Sequence, residues 1–330
     1  MRAIRVGIIA ASMVLGFLGW PSGTGAQQTP KVARIGLLVT GPPPGEHACV
    51  LSFRRGLADL GYVEGRTHVL ETRWGDGRPE ETMPRFAREL VKQGVDVVAT
   101  VTAQGLVEAK PELAAVPVVM AASNFPVERG LVQSLSRPGA NITGMATFTS
   151  GVFEKRMQLL AEAVPRVSRV AVLRLPGDQN DFIVRDLERS AQGLGVKLQV
   201  IEVRKPEDFP SAFETAARAG AQAIMTAQGP FFLQHLKPFA ELALKQKLPS
   251  FSGEPTAAKA GVLMSAGASI PASCHRAASY VDRILKGAKP SELPVEQSTT
   301  LGLEINLKTA KALGIVIPPS VLLRADHVIE

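Results

Sequence analysis

The side chains best suited to proton transfer or metal binding are five histidines, His47, His68, His235, His275 and His327, scattered through 330 residues. None has a second histidine, cysteine or acid at metal-ligand spacing, so each reads as a surface or core residue. There is no G-x-S-x-G elbow, no G-x-x-x-x-G-K-[ST] loop and no G-x-G-x-x-G after a strand, and the glycines of 36–45 lack the dinucleotide spacing. Glu80 and Glu81 fall in the first turn of a helix, where the macrodipole favours acids, so they read as structural rather than as a catalytic pair. What remains is a set of polar turns and strand ends: Thr40 and Gly41; Thr102, Ala103 and Gln104; Ser123, Asn124 and Phe125; Thr147; Pro176, Gly177 and Asp178; Gln228; Ser252 and Glu254; and Ser265. Hydroxyls, amides and the free N–H groups of helix starts suit non-covalent recognition of a small solute rather than bond breaking. The same residue types also build turns and N-caps, so the signal lies in their collective placement.

These turns are organised around residues 117–147, PVVMAASNFPVERGLVQSLSRPGANITGMAT. The apolar run 118–122 reads as a buried parallel strand that breaks into a polar turn at Ser123-Asn124-Phe125-Pro126. A compact helical segment is expected at 130–135, stopped by Arg137-Pro138-Gly139, before a second strand at 142–146. So little chain leaves little room for a long crossover helix, so the second strand is expected to lead toward another domain.

Before this stretch, strands at 33–39, 67–74 and 95–101 alternate with helices at 46–60 and 79–93, which end at Gly61 and Gly94. After it come a helix at 153–164, a strand at 169–175 and a helix at 181–194, then a strand at 197–203 and a helix at 208–219. A strand at 223–227, one helix at 231–246, and strands at 249–252 and 262–265 follow. Helix 272–286, a strand near 301–305 and a short helix at 307–313 close the chain. The repeated βα order predicts an α/β fold of two doubly wound parallel-sheet lobes. The expected domains are a leader at 1–26, an N-terminal lobe at 27–147 completed by part of 270–330, a C-terminal lobe at 148–269, and a return crossing, helix and tail at 270–330. Facing lobes would gather the polar turns in one cleft, because open α/β sheets bind ligands outside the carboxyl ends of their strands.

Composition adds an address. Residues 1–5 are positively charged, 6–20 form an apolar run, and Thr24 and Ala26 are the small residues of a cleavage site, so a signal peptide is expected to end at Ala26. Its loss removes Arg2 and Arg5 and no acid, taking the net charge from +7 to +5. The remaining Lys and Arg are dispersed, which argues against a nucleic-acid partner. No later stretch is long and apolar enough to span a membrane. Cys49 and Cys274 could pair in an oxidising compartment or stand as two separate thiols.

Six phrases carry a resemblance: FRRGLADLGYVEGR (53–66), RWGDGRPE (73–80), GLVQSLSRPGANITGM (130–145), KRMQLLAEAVPRVSRVAVL (155–173), YVDRILKGAKPSELPVEQ (280–297) and INLKTAKALGIVIPPSVLLRADHVIE (305–330). Along nearly its whole mature length the chain resembles the periplasmic solute-binding proteins of ABC transporters, in the tryptophan/tyrosine-type family with the type I periplasmic-binding-protein fold. The resemblance implies two lobes joined by a multi-strand hinge, with the ligand cleft between them. It implies a non-enzymatic, cofactor-free periplasmic receptor that closes on a small organic solute and delivers it to an ABC permease with a cytoplasmic ATPase. A sensing module for a membrane receptor or a secreted enzyme are the alternatives.

The departures from the family pattern lie in the turns. Phe125 stands where relatives commonly carry an acid before Pro-Val, so a ligand amine loses its expected partner. Leu175-Pro176 replaces Asn-Pro, Gln228 replaces an acid, Phe251-Ser252-Gly253-Glu254 replaces Tyr-Gly-Phe-Arg, and Ser265-Ala266-Gly267 replaces Ser-Tyr-Gly. Phe125 is expected either to cover an apolar part of the solute or to plug the core, and Glu254 either to meet a cation or to pair internally. The backbone N–H groups of 102–104 are expected to hold a carboxylate. The solute expected from these turns is an organic acid, an aromatic compound or an amino acid.

Overall fold

In chain order the elements are β1 (Ala33–Val39), α1 (Ala48–Asp59), β2 (His68–Trp74), α2 (Pro79–Lys92), β3 (Val97–Thr100), α3 (Ala103–Ala109), β4 (Val118–Asn124) and β5 (Ile142–Phe148). They continue as α4 (Val152–Ala163), β6 (Arg169–Arg174), α5 (Asp181–Gly193), β7 (Lys197–Glu202), α6 (Phe209–Arg218), β8 (Ala223–Thr226), α7 (Pro230–Gln234), α8 (Leu236–Lys245) and β9 (Ser250–Ser252). The last are β10 (Met264–Ala268), α9 (Ile270–Leu285), β11 (Glu296–Gln297), β12 (Leu301–Asn306), α10 (Leu307–Leu313), α11 (Pro319–Leu322) and β13 (His327–Ile329). This is a computed structural model of the chain, and it describes residues 32–41, 47–76, 78–148, 151–177, 181–227, 229–298 and 301–330. The expected leader, 1–26, and the candidates Asp178 and Gln228 lie outside the described residues.

Two sheets result. The first has the order β11-β5-β4-β3-β1-β2, all parallel. Its inner strands β1, β3 and β4 are near-continuous apolar runs because both faces are covered. On one face Phe53 and Leu57 of α1 and Ala277 and Val281 of α9 bury Ile35 and Leu37, and on the other Met83 and Leu90 of α2 and Leu106 of α3 bury Leu38 and Val98. Each such side chain contributes about 1.5–3 kcal/mol of burial. Helices α1 and α9 approach closely at Gly56, where a Cβ would lie 2.4 Å from the His275 carbonyl oxygen. There Cys49 and Cys274 are joined in a disulfide across 225 residues of chain, which resolves the two alternatives left by the sequence.

The second sheet has the order β13-β12-β10-β9-β8-β6-β7. Its pairs are parallel except for β10 with β12, so this sheet is mixed. Residues 270–330 divide between the two sheets: α9 packs on α1, β4 and β5, and β11 pairs with β5, whereas β12 and β13 extend the second sheet. The chain therefore passes between the sheets after β5, after β10 and after β11.

Two local expectations are corrected. Residues 130–135 are turns, held by bonds such as Leu131 N–H to the Pro126 carbonyl and Gln133 N–H to the Pro138 carbonyl, because Pro126, Gly130 and Pro138 break any helical run. The second strand, β5, pairs in parallel with β4 in the same sheet and then leads to α4 and β6 of the other lobe. The expected single helix at 231–246 breaks at His235, whose φ of −117° interrupts α7 and α8 and whose Nδ1 lies 2.7 Å from the Phe231 carbonyl oxygen.

Candidate functional site

At the carboxyl edge of the first sheet, β1 and β3 bring Thr40 and Thr102 together, their hydroxyls 3.3 Å apart. Thr102 also caps α3, accepting the Gly105 N–H at 3.2 Å, and a Cβ at Gly105 would sit 2.6 Å from the Thr40 methyl. The cap satisfies the N–H of Gly105, the residue just after 102–104, and α3 is only seven residues long. Ala103 is buried, and Gln104 and Gly41 are half-buried beside this pair in sequence. At the end of β4, the Thr147 hydroxyl donates to the Ser123 carbonyl at 3.2 Å. The hydroxyls of Ser123 and Thr100 are buried without a partner among the described residues. Asn124 is half-buried, and Phe125 is buried at 1% exposure.

Sequence reasoning missed two residues on this edge. Trp74 ends β2, half-buried, and the ring of His47, at the entry to α1, packs edge-on against it with centroids 5.8 Å apart. Burial pushes the His47 imidazole below its ordinary pKa, so the ring is neutral at pH 7. The detectable signal was an aromatic residue at the last position of a strand, immediately before a Gly-Asp turn.

The carboxyl edge of the second sheet carries a polar row. Strand register places Thr226, Ser252, Ser265 and Glu304 side by side on β8, β9, β10 and β12. The Thr226 and Ser252 hydroxyls are 3.0 Å apart, and Ser252 accepts the Glu254 N–H at 3.1 Å. Ser265 is fully buried, and its hydroxyl has no partner among the described residues. Pro176 is half-buried and Gly177 exposed in the turn after β6, with Gly177 at φ +111°.

Glu254 turns inward. It is 5% exposed and accepts the Gly229 N–H at 2.7 Å. Burial raises its pKa to about 7, against the pull of that N–H and of Arg156. Arg156, on α4, is a further residue the sequence reading missed. It is 1% exposed, its Nε donates to the Ala266 carbonyl at 2.8 Å, and its Nη2 donates to the Gly253 carbonyl at 3.2 Å. Burial lowers its pKa to about 10, which leaves it protonated at pH 7. The signal was a charge inside an apolar helical stripe, since Phe153, Arg156, Met157 and Leu160 share one face of α4.

The geometry is therefore two hydroxyl-lined sheet edges, one bearing an aromatic pair and the other a buried arginine and a buried carboxyl, suited to holding a solute. A family model for ABC transporter substrate binding protein matches residues 34–329. The chain belongs to the ABC transporter substrate-binding protein family. This substrate-binding protein is 22% identical over 323 residues to a tyrosine-binding protein of Clostridioides difficile, with 96% of this chain and 92% of that one covered. It superposes with a TM-score of 0.79 on an ABC domain from Streptococcus pneumonia in complex with L-Trp, at 24% identity, covering 90% of this chain and 100% of that one. A conserved domain protein from Vibrio cholerae gives a TM-score of 0.78 at 27% identity, with the same coverage. The two α/β lobes are those of the type I periplasmic binding fold.

Proposed function

We propose that this substrate-binding protein is the periplasmic component of an ABC importer, capturing an aromatic solute with one anionic end and delivering it to a membrane permease. The observation that carries the solute class is the Trp74–His47 pair at the carboxyl edge of the first sheet, an apolar platform with no net charge. The relatives agree in kind, one being named for tyrosine and another solved with L-Trp. Glu254 is buried and committed to the Gly229 N–H, which disfavours its use to hold a ligand ammonium. The Cys49–Cys274 disulfide supports export to an oxidising compartment.

Trp20 and Trp74 are the only tryptophans, and Trp20 lies in the expected leader, so in exported protein Trp74 is the sole indole. Protein recovered from the periplasm of cells expressing the full chain is titrated with benzoate, 4-hydroxybenzoate, phenylalanine and leucine. Saturable quenching of Trp74 by the aromatic acids is expected, and Trp74→Ala weakens their binding, read as a melting shift, by about tenfold or more. A response to leucine equal to that of benzoate, or no response to any aromatic acid, contradicts the assignment.

A further inference from the structure

Phe125 leaves β4 with a left-handed backbone, φ +50°, a conformation uncommon for a bulky residue. It carries its ring out of its own lobe. Among the described residues of 32–148, Phe125 alone joins the hydrophobic core of the second lobe, where it is 1% exposed. Its ring stacks on Phe153, with centroids 6.0 Å apart and planes inclined by 8°.

Phe153 lies in the first turn of α4, just after the chain crosses from β5. The guanidinium of Arg156 faces the same ring, 5.0 Å from its centroid, within cation–π range. Arg156 is in turn fixed by the carbonyls of Ala266, just before the chain crosses from β10 into α9, and of Gly253, in the turn after β9. Gly253 has no room for a side chain, since a Cβ there would lie 2.4 Å from Arg156 Nη1. One column of side chains thus joins the turn after β4 in the first lobe to the turn after β9 in the second, beside two of the crossings.

We propose that Phe125, Phe153 and Arg156 form the pivot of lobe motion and set the angle between the lobes in the solute-free protein. A stacked aromatic pair resists separation but lets one ring turn over the other, whereas the forked hydrogen bonds of Arg156 hold its end still. The column therefore permits rotation and opposes translation, which is what closure about a hinge needs. Phe153 and Arg156 are positioning residues, acting on the solute only through the turns they hold. The inference rests on the solute-receptor reading, since only a protein that opens and closes needs a pivot.

The test needs no solute, so its failure is distinct from failure of the solute assignment. Spin labels are placed on the full chain at Lys92→Cys and Lys245→Cys, exposed positions at the ends of α2 and α8, and the interlobe distance distribution is measured by pulsed electron resonance. Phe153→Leu keeps an apolar side chain but loses the stack, and it is expected to widen the distribution about twofold. Arg156→Met/Glu254→Gln, which removes both buried charges together, is expected to widen it as well, although its melting temperature stays above that of Arg156→Met. A core plug without a pivot role would lower melting temperatures and leave the distribution unchanged. An unchanged distribution in either variant overturns the proposal. If Phe153→Leu fails to fold, Phe125→Leu, at the lobe border, carries the same expectation and the same contrary result.

Discussion

Arg156→Met is expected to cost about 3–5 kcal/mol of folding stability, read as a shift in the urea unfolding midpoint. Two buried carbonyls, those of Ala266 and Gly253, lose their donor at once, and the buried Glu254 carboxyl loses the favourable field of the guanidinium. An isosteric apolar side chain cannot satisfy a buried carbonyl, and ionising the buried Glu254 becomes costlier without the nearby cation. Arg156→Lys is expected to fall between the two, because an ammonium keeps the charge but lacks the planar fork. Arg156→Met/Glu254→Gln is expected to recover part of the loss. A single-variant loss below about 1 kcal/mol would show that the guanidinium is not structurally committed.

The second prediction concerns acid. Glu254 has its pKa raised from 4.5 to about 7, so between these values the folded protein binds a proton that the unfolded chain has released. The stabilising contribution is complete below pH 4.5 and is lost as pH rises through 7. The loss amounts to about 3 kcal/mol for this group. Asp76 and Asp208, held low by the Arg78 side chain and by the Arg204 N–H, act with the opposite sign at lower pH. The informative quantity is therefore the difference between the protein and its Glu254→Gln variant, from unfolding midpoints at pH 4.5 and 7.5. Stability relative to Glu254→Gln is expected to fall from the lower pH to the higher, and a flat difference contradicts a buried, protonatable Glu254.

Most elements were legible in the sequence because buried parallel strands are short apolar runs bounded by Gly, Pro and polar turns, as in 118–122 and 169–175. Helices α1 and α9 showed their apolar faces at helical spacing, but nothing in either predicted that Cys49 and Cys274 would meet. That contact depends on α9 returning to the first lobe after the whole second lobe has been made. Residues 130–135 carried a helical pattern that the flanking prolines and Gly130 overrode in favour of turns.

The candidate site was less legible for a similar reason. Thr40 and Thr102 are separated by 62 residues and meet only because β1 and β3 are neighbours in the sheet. Phe125 read equally as a solute cover or a core plug, and its partner Phe153 lies in the other lobe. Glu254 faces inward to accept the Gly229 N–H, in the field of Arg156, which is hidden in an apolar helical stripe of a distant segment. Register and lobe packing decide such pairings, and neither can be read from local pattern.

The central claim, that this chain is a solute receptor, is tested most directly by native mass spectrometry of the protein purified without refolding. A closed cleft releases its solute slowly, so a bound small-molecule mass is expected on the purified protein and absent after unfolding and dialysis. The absence of any bound mass, together with no melting shift across aromatic acids, amino acids and polyols, would contradict the account.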